Sequence, residues 1–256
     1  MKTLQVDVAI IGAGTAGLVA YRTAKAAGAR TVIIEGGEDG TTCARVGCMP
    51  SKLLIAAAEA AHAVGKAPGF GIHIDGVMRI DGREVMERVR RERDRFVGFT
   101  LRDVQNFPEA DRILGQARFI DNHTLAVADH TRVTAKSIVI ATGSRATPLD
   151  SSSALGDRAI ISDDVFNWHD LPKAVAVIGA GIVGLELGQA LHRLGVHVVV
   201  LGRGGRVGPI RDPEINECAL TILMRNLRWS RTDISHPCSV TVIVLCCDAR
   251  IRAVPQ

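Results

Sequence analysis

Aromatic residues are scarce in this 256-residue chain: one Tyr, two Trp and six Phe make up 4% of it. That scarcity argues against a surface built to stack on bases. An excess of one charge is missing as well. Thirty-one Lys and Arg against 27 Asp and Glu leave a formal net charge of +4, and the basic residues around 88–95 are interleaved with Glu and Asp. No nucleic-acid partner is expected from such a balance. The eight histidines form no ligand constellation: His192 and His197 are five apart without an accompanying carboxylate cluster, so no metal site is expected. The N-terminus lacks the charged start, apolar core and small-residue cleavage site of a secretory signal, its apolar run reading as a first strand. A reducing cytoplasm is the expected setting. What is abundant is apolar residue (47%) and glycine (26 residues), enough for one large or two moderate α/β domains with cores of their own.

The glycines are organised. Val6-Asp7-Val8-Ala9-Ile10-Ile11 reads as a buried parallel strand, followed by Gly12-Ala13-Gly14-Thr15-Ala16-Gly17, an alanine-rich helix to about Ala27 and a second strand from Arg30 to Ile34 that ends at Glu35. Gly12 permits the tight turn, Gly14 lets a pyrophosphate approach the helix N-terminus, and Gly17 lets helix and strand pack closely. Glu35 can accept hydrogen bonds from a ribose. Strand, glycines, helix, strand and terminal acid in register make a dinucleotide-binding βαβ unit.

The pattern occurs twice. Ala174-Val175-Ala176-Val177-Ile178 leads into Gly179-Ala180-Gly181-Ile182-Val183-Gly184, a helix to about Leu194 and the strand Val196 to Leu201. The stretch from Ala174 to Leu191 is apolar enough to resemble a membrane span, but Glu186, Gln189 and the clustered glycines fit a nucleotide fold, and no membrane association is expected. The copies differ where the ribose would sit. Glu35 lies 21 residues after Gly14, whereas the position 21 after Gly181 is Gly202, followed by Arg203 and, beyond two glycines, Arg206. A carboxylate suits the free 2′-hydroxyl of NAD and a nearby arginine the 2′-phosphate of NADP, so the second slot points to NADP, with solvated surface arginines as the alternative.

Cys43 and Cys48 lie in the run Thr42-Cys43-Ala44-Arg45-Val46-Gly47-Cys48-Met49-Pro50-Ser51-Lys52, a few residues beyond the first unit. Two thiols at this spacing can close a small ring. Pro50 suits the first turn of the apolar helix from Leu53 to Val64, which places Cys48 near a helix N-terminus whose N–H groups stabilise a thiolate. Reversible oxidation is one reading; a buried or zinc-binding pair is the other, although zinc needs a second ligand pair that is not suitably placed. The vicinal Cys246 and Cys247 carry little specificity.

Between the glycine units, residues 83 to 105 read as an amphipathic helix with Val85, Val89, Phe96 and Val97 to one side. Ala117–Asp121, Thr124–Ala128 and Thr131–Thr134 are short strand-like runs separated by turns, followed by the strand Ser137 to Gly143, whose end brings Thr142 and Gly143 close to a bound nucleotide. The expected fold is therefore α/β: two Rossmann-like dinucleotide-binding domains, the second partial, with a small antiparallel β-meander.

In this order the motifs resemble the flavoprotein disulfide oxidoreductases, a pyridine nucleotide-dependent family: dihydrolipoamide dehydrogenases most closely, with glutathione and mercuric reductases as relatives. The resemblance rests on the first fingerprint with Glu35, the Cys43 to Lys52 run, the Ile140-Ala141-Thr142-Gly143 strand end and the second fingerprint, and covers roughly residues 5 to 225. It implies FAD on Gly12, Gly14 and Gly17, with Glu35 at its ribose and Thr42, Ala117 and Gly143 near it, and NAD or NADP on Gly179, Gly181 and Gly184. It implies that Cys48 is the flavin-side sulfur forming the charge-transfer thiolate and Cys43 the interchange sulfur that meets a lipoyl-type dithiol or disulfide substrate. Lys52 and Glu186 match the family's ion pair beside the flavin and nicotinamide rings. Pro50-Ser51-Lys52 with Gly184 and Gly188 looks like the lipoamide enzymes, Gly202-Arg203 points towards an NADPH-dependent reductase, and Arg45 replaces the asparagine common between the cysteines.

The domains this implies are an FAD domain with a redox-active disulfide at 1–150, a partial NAD(P) domain at 151–225 and an unmatched tail at 226–256. Full members of the family are considerably longer, with a third FAD-contacting segment and a dimerisation domain that supplies acid–base residues to the partner of a homodimer. A truncated, fragmentary or frameshifted product is the expectation; its first functional reading is a dihydrolipoamide dehydrogenase-like enzyme, its second an NADPH-dependent disulfide reductase, and its third a nucleotide-binding fragment that does not turn over.

Overall fold

The computed structural model describes residues 1–38, 40–146, 155–202, 205–224, 228–230 and 241–244. Its residues group into two compact units, 1–49 with 93–144 and 50–92 with 145 onwards.

The first unit is built on a six-stranded sheet. Strand β1 (Lys2–Ile11), helix α1 (Thr15–Ala26) and strand β2 (Thr31–Glu35) form the expected βαβ element. After short helix α2 (Thr42–Arg45), and helices α3 (Cys48–Lys66) and α4 (Gly82–Gln105), come β3 (Arg112–Leu114), β4 (Ala117–Asp121), β5 (Thr124–Val127) and β6 (Thr131–Ile140). The strand order is β3-β2-β1-β6-β5-β4, parallel from β3 to β6 and antiparallel across the meander. Period-two alternation explains why both faces are buried. Ala9, Val32 and Ile34 join Ile113, Leu125, Val127 and Val133 on one face, while Ile10 and Ile33 join Leu18 and Tyr21 of α1 on the other. Tyr21 fixes α1 through its hydroxyl, which donates to Asp111 Oδ2 at 2.6 Å, and through its ring, stacked on Phe107 at 4.2 Å.

Two sequence expectations are corrected here. The runs Thr131–Thr134 and Ser137–Gly143 are one strand, β6, ending at Ile140. It stays in register with β1 from Lys2↔Thr131 to Ile11↔Ile140, so the polar Lys136 and Ser137 do not break it. Helix α3 starts at Cys48 rather than Leu53, because Pro50 in its third position falls in the first turn, where no intrahelical N–H bond is lost. The buried positions of α4 are Met86 and Val89; Val85 is half-buried.

The second unit carries β7 (Ala159–Ile161), β8 (Ala174–Ile178), helix α5 (Ile182–Arg193), β9 (His197–Leu201), helix α6 (Pro213–Met224), β10 (Arg228–Ser230) and β11 (Thr241–Val244). The sheet is parallel throughout, in the order β10-β9-β8-β11-β7. The apolar stretch that could pass for a membrane span is thus a strand, a glycine turn and a helix that buries Leu187, Ala190 and Leu191. Among the described residues no helix is long and apolar enough to cross a membrane. The segment expected to be an unmatched tail supplies two strands, β10 beside β9 and β11 between β8 and β7. Residues 50–92 group with this unit and carry polar ties to it. Arg83 Nε meets Asp170 Oδ2 at 3.2 Å, Arg193 pairs with Glu59, and Arg90 donates to the Trp168 carbonyl.

The glycines of the first turn separate packing from space. A Cβ at Gly17 would lie 1.8 Å from the Gly12 carbonyl oxygen, whereas one at Gly14 meets nothing within 4 Å. Gly17→Ala is expected to destabilise the protein by about 3 kcal/mol, the upper end for overpacking. Gly14→Ala, at the N-cap of α1, should cost under about 1 kcal/mol. Urea denaturation followed by circular dichroism checks the pair.

Candidate functional site

Positive φ at Gly12 (+105°) turns the chain sharply off β1, and its N–H donates to Ile34 O at 2.7 Å, locking the turn onto β2. Helix α1 then begins from Gly14, and the open space at that residue leaves backbone available for an approaching ligand. A cleft of about 360 Å³ forms there, lined by Gly12, Gly14, Glu35, Thr42, Ala117, Thr142 and Gly143. Seven of the residues assigned to the first nucleotide from the sequence thus converge, while another, Gly17, sits behind the turn as a packing residue. The volume lies in the range of small-molecule sites.

Glu35 is held from both sides. Its Oε2 accepts from Ala13 N–H at 2.6 Å and its Oε1 from Gly37 N–H at 2.7 Å. Each carboxylate oxygen keeps a lone pair for a further donor, the requirement for a ribose diol. Gly143 (φ +70°) leaves the opposite wall free of side chain. The donor set, the cradle at Gly14 and the carboxylate fit the adenosine diphosphate end of FAD.

The sequence reading missed Thr41, Arg45 and Glu38, which also line this cleft. Thr41 adopts φ +61°, a region costly for a β-branched residue, and its hydroxyl accepts from Ala44 N–H at 3.1 Å to cap α2. It also borders a second cleft of about 320 Å³ shared with Cys43, Leu18, Met49, Phe96 and Phe99. The signal available in the sequence was the dipeptide Thr41-Thr42, a capping pattern ahead of a short helix.

The two cysteines are brought together by α2, whose second residue is Cys43, and by the start of α3 at Cys48. Cys43 is half-buried and Cys48 exposed. Burial raises the Cys43 pKa above the ordinary thiol value, reinforced by a hydrogen bond and charge interaction with Cys48; the backbone N–H groups of Cys48 and Met49 oppose this. The N–H groups at the α3 N-terminus, which the sequence reading gives to Cys48, are therefore directed at Cys43. In the second unit Lys52 Nζ meets Glu186 Oε2 at 2.7 Å, 134 residues away in the chain, so the expected pair is formed.

The second glycine turn repeats the first in detail. Gly179 has φ +118° and donates to Leu201 O at 2.9 Å; α5 starts from Gly181, where a Cβ meets nothing within 4 Å, and Gly184 is buried. The difference lies after β9. Gly202 is buried where the first copy has Glu35, and the loop beyond is tied back by Gly208 N–H to Ala180 O at 2.7 Å. Asn216 also holds it, accepting from Val207 N–H at 2.8 Å and donating to Gly205 O at 3.0 Å. Arg206 is exposed on that loop; Arg203, like Cys246 and Cys247, lies outside the described residues. Among the described residues no group of three or more His, Cys, Asp or Glu side chains is placed to hold a metal ion.

Comparison with known proteins agrees with this geometry. The chain is 34% identical over 219 residues to a dihydrolipoyl dehydrogenase of Chlamydia muridarum, an alignment spanning 82% of this chain and 46% of that protein. It is 32% identical over 218 residues to a mercuric reductase of Lysinibacillus sphaericus, spanning 82% and 38%. The chain thus spans less than half the length of these relatives. Among solved structures, the HOCl-induced flavoprotein disulfide reductase RclA from Escherichia coli, in a Cu(II) complex, shares its fold: TM-score 0.70 at 24% identity, over 94% of this chain and 49% of that one. Residues 6–230 match the pyridine nucleotide-disulphide oxidoreductase family, whose members use FAD and NAD(P). Two glycine turns of one geometry, a contacting cysteine pair after the first and a match across most of the sequence place this chain in the pyridine nucleotide-disulphide oxidoreductase family.

Proposed function

We propose that this chain carries the FAD-binding and nicotinamide-binding parts of a disulfide oxidoreductase, with Cys43 and Cys48 as its redox pair and a lipoyl-type dithiol as substrate. The observation that supports this best is the convergence of Gly12, Gly14, Glu35, Thr42, Ala117, Thr142 and Gly143 on one cleft, in the same unit as the interacting cysteines. Residues 1–150 then form the FAD domain by function, although 50–92 pack elsewhere. A reducing cytoplasm suits thiols that cycle, and the homodimer belongs to the same reading.

The cleft residues would hold the dinucleotide: Glu35 the adenosine ribose, the Gly12–Gly14 backbone the diphosphate, Thr42, Ala117 and Thr142 the walls. FAD, when bound, supplies two-electron chemistry between a hydride donor and a disulfide. The protein's own steps are thiol exchange. A substrate thiolate attacks Cys43 Sγ of the oxidised pair, the S–S bond breaks towards Cys48, and the second substrate thiolate then displaces Cys43 as the substrate disulfide closes. Burial favours Cys43 in its protonated form once released, and the N–H groups of Cys48 and Met49 temper that preference. Lys52, paired with Glu186, would supply positive charge to offset the negative charge that FAD takes up on reduction.

An NADPH-dependent reductase is the second reading. It is favoured by buried Gly202 in place of a ribose carboxylate and by exposed Arg206 on a loop tied to the second turn.

Three outcomes are expected. The purified protein binds FAD and turns yellow, and Gly14→Ala, while folded, loses at least about tenfold in FAD affinity, or ~1.4 kcal/mol; equal affinities by fluorescence titration would count against the first cleft. With the flavin loaded, NADPH bleaches it faster than NADH in stopped-flow absorbance; the opposite order removes the NADPH reading, and bleaching by neither leaves a chain that binds without turning over. Alkylation of Cys43 by iodoacetamide, followed by peptide mass spectrometry, continues to accelerate above the usual thiol range. Because the Cys48 side chain raises the Cys43 pKa, Cys48→Ala should move that profile to lower pH.

A further inference from the structure

Arg45 stands between the two cysteines, yet its side chain belongs to the nucleotide cleft. Among the described residues lining that cleft it is the sole cation, in a lining that also holds Glu35 and its own partner Glu38. The adenosine-binding carboxylate, Glu35, is already engaged with two backbone N–H groups. A diphosphate entering the cleft therefore meets carboxylates and a single positive group.

The arginine is pre-positioned. Gly40 (φ +105°) presents no side chain to it, and a Cβ there would lie 3.5 Å and 3.6 Å from Cδ and Cγ of Arg45 and 3.0 Å from Val97 Cγ1. The aliphatic stem is thus packed in a slot, leaving a side chain 27% exposed. Its Nε–H is buried without a hydrogen-bond partner among the described residues. One terminal nitrogen pairs with Glu38, whose own side chain is 83% exposed. An exposed carboxylate is a weak tether, screened by water and salt. A phosphate offers a guanidinium more: charge-assisted, bidentate hydrogen bonding through its planar fork of donors.

We propose that Arg45 is a diphosphate-binding residue of the first cleft and that Glu38 is its exchangeable counter-ion, displaced when the dinucleotide binds. The proposal rests on the reading of that cleft as the FAD site and adds a positioning device the glycine fingerprint does not contain. It gives Arg45 a role in holding the cofactor, away from thiol exchange.

The test is calorimetric titration of the cofactor-free protein with FAD, ADP and adenosine. Arg45→Gln should weaken FAD and ADP by roughly tenfold, the scale of one charge-assisted contact, and leave adenosine unchanged. Glu38→Gln should tighten FAD and ADP a few-fold, since it removes both competitor and repelling charge, and raising the salt concentration should shrink the difference. Equal loss for adenosine would mean that Arg45 acts only on the shape of the cleft, and ADP affinity within twofold of the parent in Arg45→Gln would mean that it holds no phosphate; either overturns the proposal. Should Arg45→Gln fail to fold by circular dichroism, Glu38→Gln decides alone: unchanged or weaker ADP binding overturns it. If the parent protein binds neither FAD nor ADP, the FAD reading fails and the Arg45 proposal with it. If the parent binds both and the variants match it, only the proposal fails.

Discussion

The contact between the Gly12 carbonyl and the Cα of Gly17 is the constraint on which the first site depends. Only with no Cβ at residue 17 can α1 settle against the turn it leaves, and only with φ +105° at residue 12 can the turn be short enough to start the helix at Gly14. That closeness puts backbone, rather than side chains, at the mouth of the cleft. It also sets Ala13 N–H at 2.6 Å from Glu35. The end of β2, the turn and the helix start are thus one hydrogen-bonded unit, with the Glu35 carboxylate held at both of its oxygens. The end of β6, in register with β1 to Ile140, delivers Thr142 and Gly143 to the same cleft.

Duplication of this turn, with one change, gives the chain its two slots. Gly179 and Gly181 reproduce the geometry of Gly12 and Gly14, and Gly184 is buried as Gly17 is. The strand that follows ends in a carboxylate in one case and a buried glycine in the other. On the proposed reading, discrimination between nucleotides falls to a loop tethered by Asn216 and by Gly208 to Ala180, a part that can vary without disturbing the turn.

Much of this was legible in the sequence because glycine turns and period-two strands are local demands of the backbone. The pairs Gly12/Glu35 and Gly179/Gly202 could be read by spacing, and the motif order located Cys43, Cys48, Lys52 and Glu186. What escaped depended on folding back. β3, β7, β10 and β11 are strands of three or four residues, too short to show alternation, and they exist only by pairing with neighbours. The direction of the α3 N–H groups towards Cys43 follows from α2, whose cap is the strained Thr41. Arg45 stood out in the sequence only as a replacement for the asparagine common between the cysteines. Its neighbours in space are Gly40, Glu38 and the nucleotide cleft.

The central claim is that the first glycine turn holds FAD through backbone and Glu35. A crystal structure of the protein grown with FAD tests it most directly. The account predicts a dinucleotide in the Gly12–Gly143 cleft, its adenosine ribose hydroxyls on the Glu35 carboxylate and its diphosphate against the backbone at Gly14. A dinucleotide bound elsewhere, or one whose diphosphate lies away from that turn, would contradict it.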